Sequence, residues 1–330
     1  MLISENLKQL LSLLADGQFH SGTELASVLK VSRTAVWKHL QALGDFGVEL
    51  IGVSGKGYKL RYPLQLLDSR KIDASLNERA GALISLLDIH AVIPSTNAYL
   101  SEIAHQAPAS GRVCLAEYQT AGKGRRGRSW VSPFGHNIYL SILWHYPDGP
   151  AAIAGLSLAV GVAVIKALRK MGVNDIGLKW PNDIYWHGRK LGGILIEVSG
   201  ESGGPCDAVI GLGLNIYLPQ DQAEGIEQAW VDLQQILGDS VVNQRNRLVA
   251  LLLNEMLPVI ADFDQQALLS FVNEWRNYDC MQGRAATIFI GQQQYQGVVE
   301  GIDDQGLLLL KDADGQVRAY ASGEVSFSAS

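Results

Sequence analysis

Residues 176–216 read IGLKWPNDIYWHGRKLGGILIEVSGESGGPCDAVIGLGLNI, and this stretch decides the fold of the middle of the chain. The run Ile176–Trp180 predicts a strand that Pro181 ends. Lys190–Val198 predicts a second strand, interrupted by two glycines, and Ala208–Ile216 predicts a third, in which glycines alternate. Alternating glycines clear space on one face of a strand. That space suits either a slim ligand or the close packing of another strand.

The regions on both sides of this stretch continue the same alternation of strand-like and helix-like runs, over residues 66–278. Arg112–Tyr118 and Asn137–Trp144 predict strands, whereas Ala151–Lys170 predicts a long buried helix. Some of these runs are joined as hairpins and others cross over. We therefore expect an α/β domain with a mixed sheet and helices on one face.

A basic loop precedes this region. No acidic residue occurs over residues 118–147, while Lys123, Arg125, Arg126 and Arg128 fall within six positions and alternate with glycines. Glycines let a backbone approach a ligand closely, and Lys and Arg supply positive charge. The spacing excludes a Walker A loop. The pattern predicts a loop that binds phosphate or carboxylate, with a solvated surface loop as the alternative.

The N-terminal residues predict three helices and a hairpin. Leucines from Leu7 onward recur at i, i+3, i+4 and i+7, and Ser21 with Glu24 forms a capping-box pattern. A third helix is predicted over Arg33–Leu43, followed by a hairpin around residues 54–57. This layout is typical of a winged helix-turn-helix that binds DNA. The alternative is a three-helix cap that only packs against the rest of the chain.

The exposed side of the third helix and the hairpin tip carry groups suited to phosphates and base edges. The predicted DNA contacts are Ser32, Arg33, Thr34, Lys38 and Lys56. Few of them can form a bidentate contact with a base, so binding by one copy should be weak and sensitive to salt. We therefore expect a dimer on a two-fold symmetric DNA site.

The composition fits a multidomain globular protein. The chain has 330 residues, of which 47% are apolar and 18% charged, with a net charge of −6. This acidic total excludes bulk coating of nucleic acid, although residues 1–65 hold seven Lys and Arg against five Asp and Glu.

Three scattered cysteines argue against disulfides and a structural zinc site, and we predict no metal ligands. No signal peptide or spanning helix is predicted, so we expect a cytoplasmic protein without a membrane partner.

The C-terminal residues, from about 279 onward, predict a small barrel. Short strands with Gly and Asp turns follow one another at near-regular spacing there. The expected domains are therefore residues 1–65, the winged helix-turn-helix; residues 66–278, the α/β domain; and residues 279–330, the small barrel.

Four motifs together resemble the biotin–protein ligases of the bifunctional bacterial kind, which also repress biotin synthesis genes. They are GKGRRGRSW at 122–130, KWPND at 179–183, RKLGGIL at 189–195 and GLGLNI at 211–216, behind a winged helix. The resemblance covers essentially the whole chain. It implies a class II synthetase-like central domain and an SH3-like C-terminal domain.

The resemblance also implies an activity and its partners. Biotin and ATP, with Mg²⁺, would form biotinyl-5′-AMP, and the biotin would pass to a lysine of the biotin carboxyl carrier protein of acetyl-CoA carboxylase. A homodimer bound to biotinyl-5′-AMP would bind operator DNA. Two alternatives are a lipoate or octanoate ligase of the same fold class and a metabolite-sensing transcription regulator without catalysis.

Matching the motifs residue by residue implies specific roles. The residues that would take part in catalysis are Lys190, Arg125 and Asp183. The residues that would bind biotin are Ser95, Thr96, Asn97, Gln119, Lys123, Gly124, Arg125, Lys190, Gly211 and Gly213. Those that would bind ATP or the adenylate are Arg126, Arg128, Trp130, Asn182 and Asn215. The chain departs from the family's pattern at two positions. Lys123 stands where many relatives have arginine, and Ser328 stands near the position at which repressor-type relatives carry an arginine.

Overall fold

The computed structural model describes residues 4–62, 64–106, 109–200, 203–263 and 265–327. Its N-terminal part is the predicted winged helix-turn-helix. It consists of α1 Glu5–Leu14, α2 Gly22–Leu29, α3 Arg33–Gly44 and a hairpin of β1 Leu50–Val53 and β2 Gly57–Leu60. Ser21 and Glu24 form the predicted capping box of α2. Pro63, in the predicted linker, lies outside the described residues.

The apolar stripes predicted in this part do form its core. Leu7, Leu10, Leu11 and Leu14 of α1 are buried against Val36, Leu40 and Leu43 of α3. The core continues into the next domain, where Phe46, just after α3, packs against Tyr118 and Phe134 with ring centroids 6.2 and 6.1 Å apart. The winged helix therefore shares a core with the α/β domain rather than hanging from a free linker.

The α/β domain is built on a seven-stranded sheet. Its strands are β3 Leu86–Ile93, β4 Arg112–Gln119, β5 Ile138–Tyr146, β6 Ile176–Lys179, β7 Asp183–Trp186, β8 Arg189–Gly200 and β9 Cys206–Leu214. Its helices are α4 Ser69–Asp73, α5 Glu78–Leu83, α6 Thr96–Gln106, α7 Leu156–Lys170, α8 Leu233–Leu237, α9 Arg245–Asp262 and α10 Gln265–Arg276. The strand order is β3-β4-β5-β9-β8-β7-β6, with β3 and β4 parallel and the other neighbours antiparallel. The predicted mixed sheet is confirmed.

Two predictions about the helices are wrong in detail. The long helix begins at Leu156, not at residue 151, because Gly155 has a φ of +85°, in the left-handed region, and residues 151–155 form turns. The helices also lie on both faces of the sheet. α7 and α9 cover one face, while α6 packs on the other against Cys114, Ala116 and Val209. The prediction of one covered face failed because the run 95–106 gives no sign of which face its helix covers.

The C-terminal part, for which the sequence predicts a small barrel of short strands, is a five-stranded antiparallel sheet. Its strands are β10 Ala285–Ile290, β11 Gln293–Ile302, β12 Leu308–Lys311, β13 Val317–Tyr320 and β14 Glu324–Phe327, in the order β13-β12-β11-β10-β14. It shares a buried core with the α/β domain through Ile288, Val299 and Leu308. In the described part of the chain, no helix is long and apolar enough to cross a membrane.

A buried ion pair ties the segment after the winged helix to the α/β domain. Arg245, at the start of α9, lies 2.8 Å from Glu117 on β4, and their side chains are only 1% and 5% exposed. The same guanidinium donates to the carbonyls of Gln65 and Asn137, while Glu117 accepts from the backbone N–H of Leu67. The path of residues 65–67 is therefore set by charged groups inside the protein.

Replacing Arg245 with Met should lower the free energy of unfolding by about 3–5 kcal/mol, because the carboxylate of Glu117 would remain buried without its partner. The double variant with Glu117→Gln should recover part of this loss. Urea unfolding of the three proteins measures both effects. A single variant within about 1 kcal/mol of the wild type would contradict a structural role for the pair.

Burial of a neighbouring histidine gives the stability a pH dependence. Burial, together with the charge of Arg245, lowers the pKa of His136 to about 3. The unfolded chain takes up this proton near pH 6.5, so the folded state loses stability as the pH falls from about 6.5 towards 3. Between pH 7 and pH 5 this group should cost about 2 kcal/mol. The variant His136→Gln should lose that part of the slope in urea unfolding, and an unchanged slope would contradict it.

Candidate active site

The site begins where two neighbouring strands of the sheet lack side chains. Tyr139 on β5, Gly213 on β9, Gly193 on β8 and Asp183 on β7 are paired with one another across four neighbouring strands. The two glycines in the middle leave bare backbone on the face that α6 partly covers. Other side chains can therefore pack directly against the backbone of the sheet at Gly213 and Gly193.

The protein's own side chains occupy the space over the alternating glycines. A Cβ at Gly213 would lie 2.5 Å from Cε2 of Trp130, and a Cβ at Gly211 would lie 2.2 Å from Oδ1 of Asn97. This corrects the expectation that the two glycines leave bare room for the biotin rings. A ligand here meets Trp130 and Asn97, and the glycines are needed to admit those side chains.

Lys190 and Asp183 form the centre of the cleft. Lys190 Nζ lies 2.9 Å from Asp183 Oδ1, and the two side chains are 15% and 17% exposed. A Cβ at Gly193 would lie 3.2 Å from that carboxylate oxygen and 3.4 Å from Nζ. The ammonium is also 5.6 Å from the ring centroid of Trp130. The bare backbone of Gly193 thus allows the ion pair to lie flat against the sheet.

The start of α6 forms one wall of the cleft, and its polar groups are held by neighbouring strands. The backbone N–H of Thr96 donates to Gln119 Oε1 over 2.9 Å, and Gln119 donates to Ser132. Ser141 donates to Asn97 Oδ1 over 2.6 Å, while Asn97 donates to Glu197 over 2.8 Å. Ser95, Thr96, Asn97 and Gln119, named from the sequence, are therefore brought together.

The basic loop is folded back on itself over the cleft. Gly124 donates to the carbonyl of Arg128 over 2.6 Å, and Trp130 donates to the carbonyl of Gly122 over 2.9 Å. Lys123 Nζ lies 3.7 Å from Glu197 across the site. The alternative of a freely solvated loop does not describe this arrangement.

Arg125 lines the cleft and is less exposed than Arg126 and Arg128 of the same loop. Its guanidinium donates to Asn182 Oδ1 over 3.0 Å and to the carbonyl of Gly323 over 3.3 Å. Burial lowers the pKa of Arg125, and the charge of Asp183 partly opposes this shift. Asn182 lines the cleft too, but its carboxamide also donates to the carbonyl of Ile194.

Arg126 and Arg128 contact the C-terminal domain. Arg128 donates to Glu324, and Arg126 lies 3.7 Å from the same carboxylate and donates to the carbonyl of Phe289 over 2.9 Å. Partial burial raises the pKa of Glu324, but the hydrogen bond from Arg128 and the two arginine charges outweigh it, so the pKa lies below its usual value. Sequence reasoning missed Glu324 as a site residue, because 196 positions separate it from Arg128.

A second partly buried lysine was also missed. Lys179, in the KWPND motif, lines the cleft, pairs with Asp183 across β6 and β7, and donates to Tyr185 Oη over 3.3 Å. Burial lowers its pKa, and the charge of Asp183 partly restores it. The sequence signal was present, since this lysine stands four positions before Asp183.

Asn215 is not brought into the cleft. Its side chain is buried and donates to the carbonyl of Val231 over 3.2 Å, and its backbone N–H donates to Leu191. Val231 donates in turn to the carbonyl of Lys190. Asn215 therefore contacts the segment that holds Lys190, and its contact with the adenylate stays a prediction. Ser328 lies outside the described residues.

The predicted DNA contacts are all exposed on one part of the winged helix. Ser32 caps α3 by accepting from the N–H of Ala35 over 3.1 Å, and Arg33, Thr34 and Lys38 follow on its surface. Lys56 is exposed at the hairpin turn. These positions suit a helix that enters a DNA groove.

The fold and this cleft define a class: a synthetase-like enzyme built to handle carboxylate and phosphate groups, joined to a winged helix-turn-helix. Comparison with known proteins gives the particular family. Residues 89–215 match the biotin/lipoate A/B protein ligase family, residues 6–59 an HTH domain, and residues 283–328 the biotin protein ligase C-terminal domain.

Curated relatives extend over nearly the whole chain. The chain is 42% identical over 317 residues to the bifunctional ligase/repressor BirA of Salmonella typhimurium, and the aligned residues cover 96% of both chains. Identity to BirA of Escherichia coli is 41% over 318 residues, again 96% of both, and to BirA of Bacillus subtilis 30% over 314 residues, 93% of this chain and 94% of the other. The chain therefore belongs to the biotin–protein ligases of the bifunctional ligase/repressor type.

A solved structure shares the fold. The biotin protein ligase from Aquifex aeolicus, solved in complex with biotin and ATP, aligns with a TM-score of 0.62 over 75% of this chain and 100% of that one, at 24% identity. This structural alignment supports the conclusion that the present chain has the fold of a biotin protein ligase.

Replacing Glu324 with Gln should loosen the basic loop, because Arg126 and Arg128 would lose their shared carboxylate. We expect trypsin to cut the loop about five- to tenfold faster and adenylate formation to slow by a similar factor. Glu300→Gln, which removes an exposed carboxylate 3.9 Å from Lys311 in the same sheet, is the control. Equal cleavage rates in the two variants would contradict a positioning role for Glu324.

Proposed function

We propose that this chain activates biotin with ATP, forming biotinyl-5′-AMP and pyrophosphate, and then transfers biotin to a lysine of the biotin carboxyl carrier protein of acetyl-CoA carboxylase. The observation that carries the proposal is the Lys190–Asp183 pair, held against bare backbone beneath the basic loop. Both half-reactions place negative charge on phosphate and carboxylate oxygens. Preoriented cations in a partly dry cleft stabilise such charge.

In the first half-reaction, a biotin carboxylate oxygen attacks the α-phosphorus of ATP, and the bond to pyrophosphate breaks. Lys190 is proposed to contact the carboxylate and α-phosphate oxygens as charge develops there. Asp183 positions its ammonium, 2.9 Å away. Arg125 supplies a second cation from the loop, placed by its contact with Asn182.

In the second half-reaction, the neutral amine of the acceptor lysine attacks the carbonyl carbon of the mixed anhydride. The C–N bond forms, the C–O bond to AMP breaks, AMP leaves, and the attacking nitrogen releases one proton to solvent. Lys190 and Arg125 again face the departing phosphate. Asp183 is proposed to position Lys190 or the incoming amine, and no covalent bond to the enzyme is required.

Biotin is proposed to bind between the start of α6 and the basic loop. Thr96 is hydrogen-bonded to Gln119 there, Asn97 accepts from Ser141, and Ser95 lines the same cleft. Gly124 keeps the loop backbone close. Lys123, 3.7 Å from Glu197, would then lie over the ligand. Gly211 and Gly213 contribute by admitting Asn97 and Trp130.

The adenylate is proposed to extend towards Trp130 and Asn182, with Arg126 and Arg128 at the rim. Trp130, Asn182, Arg126 and Arg128 all line the cleft, which supports this placement. We expect Mg²⁺ to enter on the phosphates of ATP. In the described part of the chain, no group of three or more His, Cys, Asp and Glu could hold an ion unaided.

Replacing Lys190 with Ala should leave the fold intact and slow adenylate formation by about 10²- to 10³-fold, because it removes the cation beside the developing charge. Single-turnover formation of biotinyl-5′-AMP measures the effect. Lys311→Ala, a loss of an exposed lysine in the C-terminal sheet, is the matched control. Near-normal adenylation by the Lys190 variant would refute its assigned role.

ATP–pyrophosphate exchange tests the proposed reaction itself, with biotin, lipoate or no acid supplied to the purified protein. We expect exchange with biotin alone. Exchange with lipoate alone would identify a lipoate ligase of the same fold class. Biotin binding without exchange would leave a ligand-sensing DNA-binding protein and overturn the catalytic assignments.

We further propose that the chain represses biotin synthesis genes as a homodimer. Biotinyl-5′-AMP retained in the cleft would order the basic loop and favour the dimer, which then binds a two-fold symmetric operator. The exposed Ser32, Arg33, Thr34, Lys38 and Lys56 are the proposed contacts. A footprint in the presence of biotin and ATP should cover two half-sites, and a footprint over a single short half-site would contradict the dimer.

A further inference from the structure

One aromatic side chain on the winged helix is exposed where the fold offers it no partner. Trp37, in the second turn of α3, has 54% of its surface exposed. The other large apolar side chains with comparable exposure, among the described residues, are valines and leucines. The core of this domain uses Val36, Leu40 and Leu43 from the same helix, so Trp37 lies outside the set that stabilises it.

Trp37 lines a cleft between α3 and the hairpin. Arg33 and Thr34, one turn earlier on the helix, share this cleft, and Val53 and Ser54 line it from the hairpin side. Val53 is itself 39% exposed. The lining of this cleft therefore combines exposed apolar side chains, Trp37 and Val53, with polar groups and the cationic Arg33.

The positive charge around this cleft indicates what kind of ligand it can bind. None of the described residues that line it is acidic, and Lys38 and Lys56 are exposed on α3 and on the hairpin turn. A polyanion with an apolar component fits such a surface. Duplex DNA has both, because phosphates flank a major groove in which thymine alone presents a C5-methyl group.

We propose that Trp37 is a specificity-determining residue that packs its indole against a thymine methyl in each half-site. This inference rests on the proposed operator binding. A helix-turn-helix reads bases with the first part of its recognition helix, where Trp37 lies. Arg33, Lys38 and Lys56 position the duplex through phosphates, which carry no sequence information, so Trp37 supplies a sequence-dependent contact.

The test begins with DNA selected from a random duplex pool by the full-length protein in the presence of biotin and ATP. Each thymine of the selected site is then replaced by deoxyuridine, which removes only the methyl group. At one thymine in each half-site, this change should weaken binding by the wild type about three- to tenfold. For Trp37→Ala, the same change should have no effect, while its affinity for the thymine duplex is already reduced.

Lys38→Ala is the matched control, from the adjacent position of the same helix. It should weaken binding to all duplexes, lower the slope of log affinity against log salt by about 1, and keep the methyl dependence. Trp37→Ala should leave the salt slope unchanged. Biotin-dependent pyrophosphate exchange and thermal unfolding should also remain as in the wild type, because Trp37 is exposed and does not line the active-site cleft.

The outcomes separate this role from the function on which it rests. Sequence-selective binding in which no thymine methyl matters, or in which Trp37→Ala keeps the wild-type methyl dependence, would overturn the role of Trp37 alone. A Trp37→Ala variant that loses self-association but keeps the methyl dependence would instead place the residue in a protein contact. If the wild type selects no sequence at all, operator binding fails, and this inference fails with it.

Discussion

The bare backbone at the centre of the large sheet is the constraint on which the rest of the site depends. Gly193 and Gly213 are neighbours across β8 and β9, and both lack a side chain on the face that carries the cleft. Only this absence lets Trp130 lie on the sheet and lets Lys190 and Asp183 pair against it. Any larger residue at Gly213 would occupy the position of the indole, so the geometry of the cleft depends on two missing Cβ atoms.

The site is assembled from parts that do not fold together locally. The basic loop reaches the C-terminal sheet through Arg126, Arg128 and Glu324, while Arg125 reaches the α/β domain through Asn182. The loop thus bridges two domains over the cleft. This arrangement gives the small C-terminal sheet a function in holding the loop, because its carboxylate compensates a concentration of positive charge that would otherwise repel itself.

The winged helix is joined to the catalytic domain by packing as well as by sequence. Phe134 lies only four positions after Trp130, and it packs against Phe46 at the end of α3. The buried pair of Arg245 and Glu117 holds the segment after the winged helix on the other side. Residues 130–134 therefore run from Trp130, in the active-site cleft, to Phe134, in the core of the winged helix.

Much of the local structure could be predicted from the sequence. The leucine stripe of α1, the capping box at Ser21 and the glycine pattern of β9 each depend on neighbours within a few positions, and each is present as expected. The long helix was placed too early because apolarity alone does not show that Gly155 adopts a left-handed conformation. The GLGLNI motif predicts that Asn215 lies in the cleft, whereas its side chain donates to the carbonyl of Val231.

Periodicity, caps and motifs are short-range properties, so the type of each element, the order of the elements and the residue types for the chemistry could be predicted from the chain. Three features required the folded structure: α6 lies opposite α7 and α9, Glu324 accepts from Arg128, and Asn97 and Trp130 occupy the space over the glycines. These contacts join residues far apart in the chain. Their partners are selected by packing and by charge compensation in three dimensions, which no local pattern records.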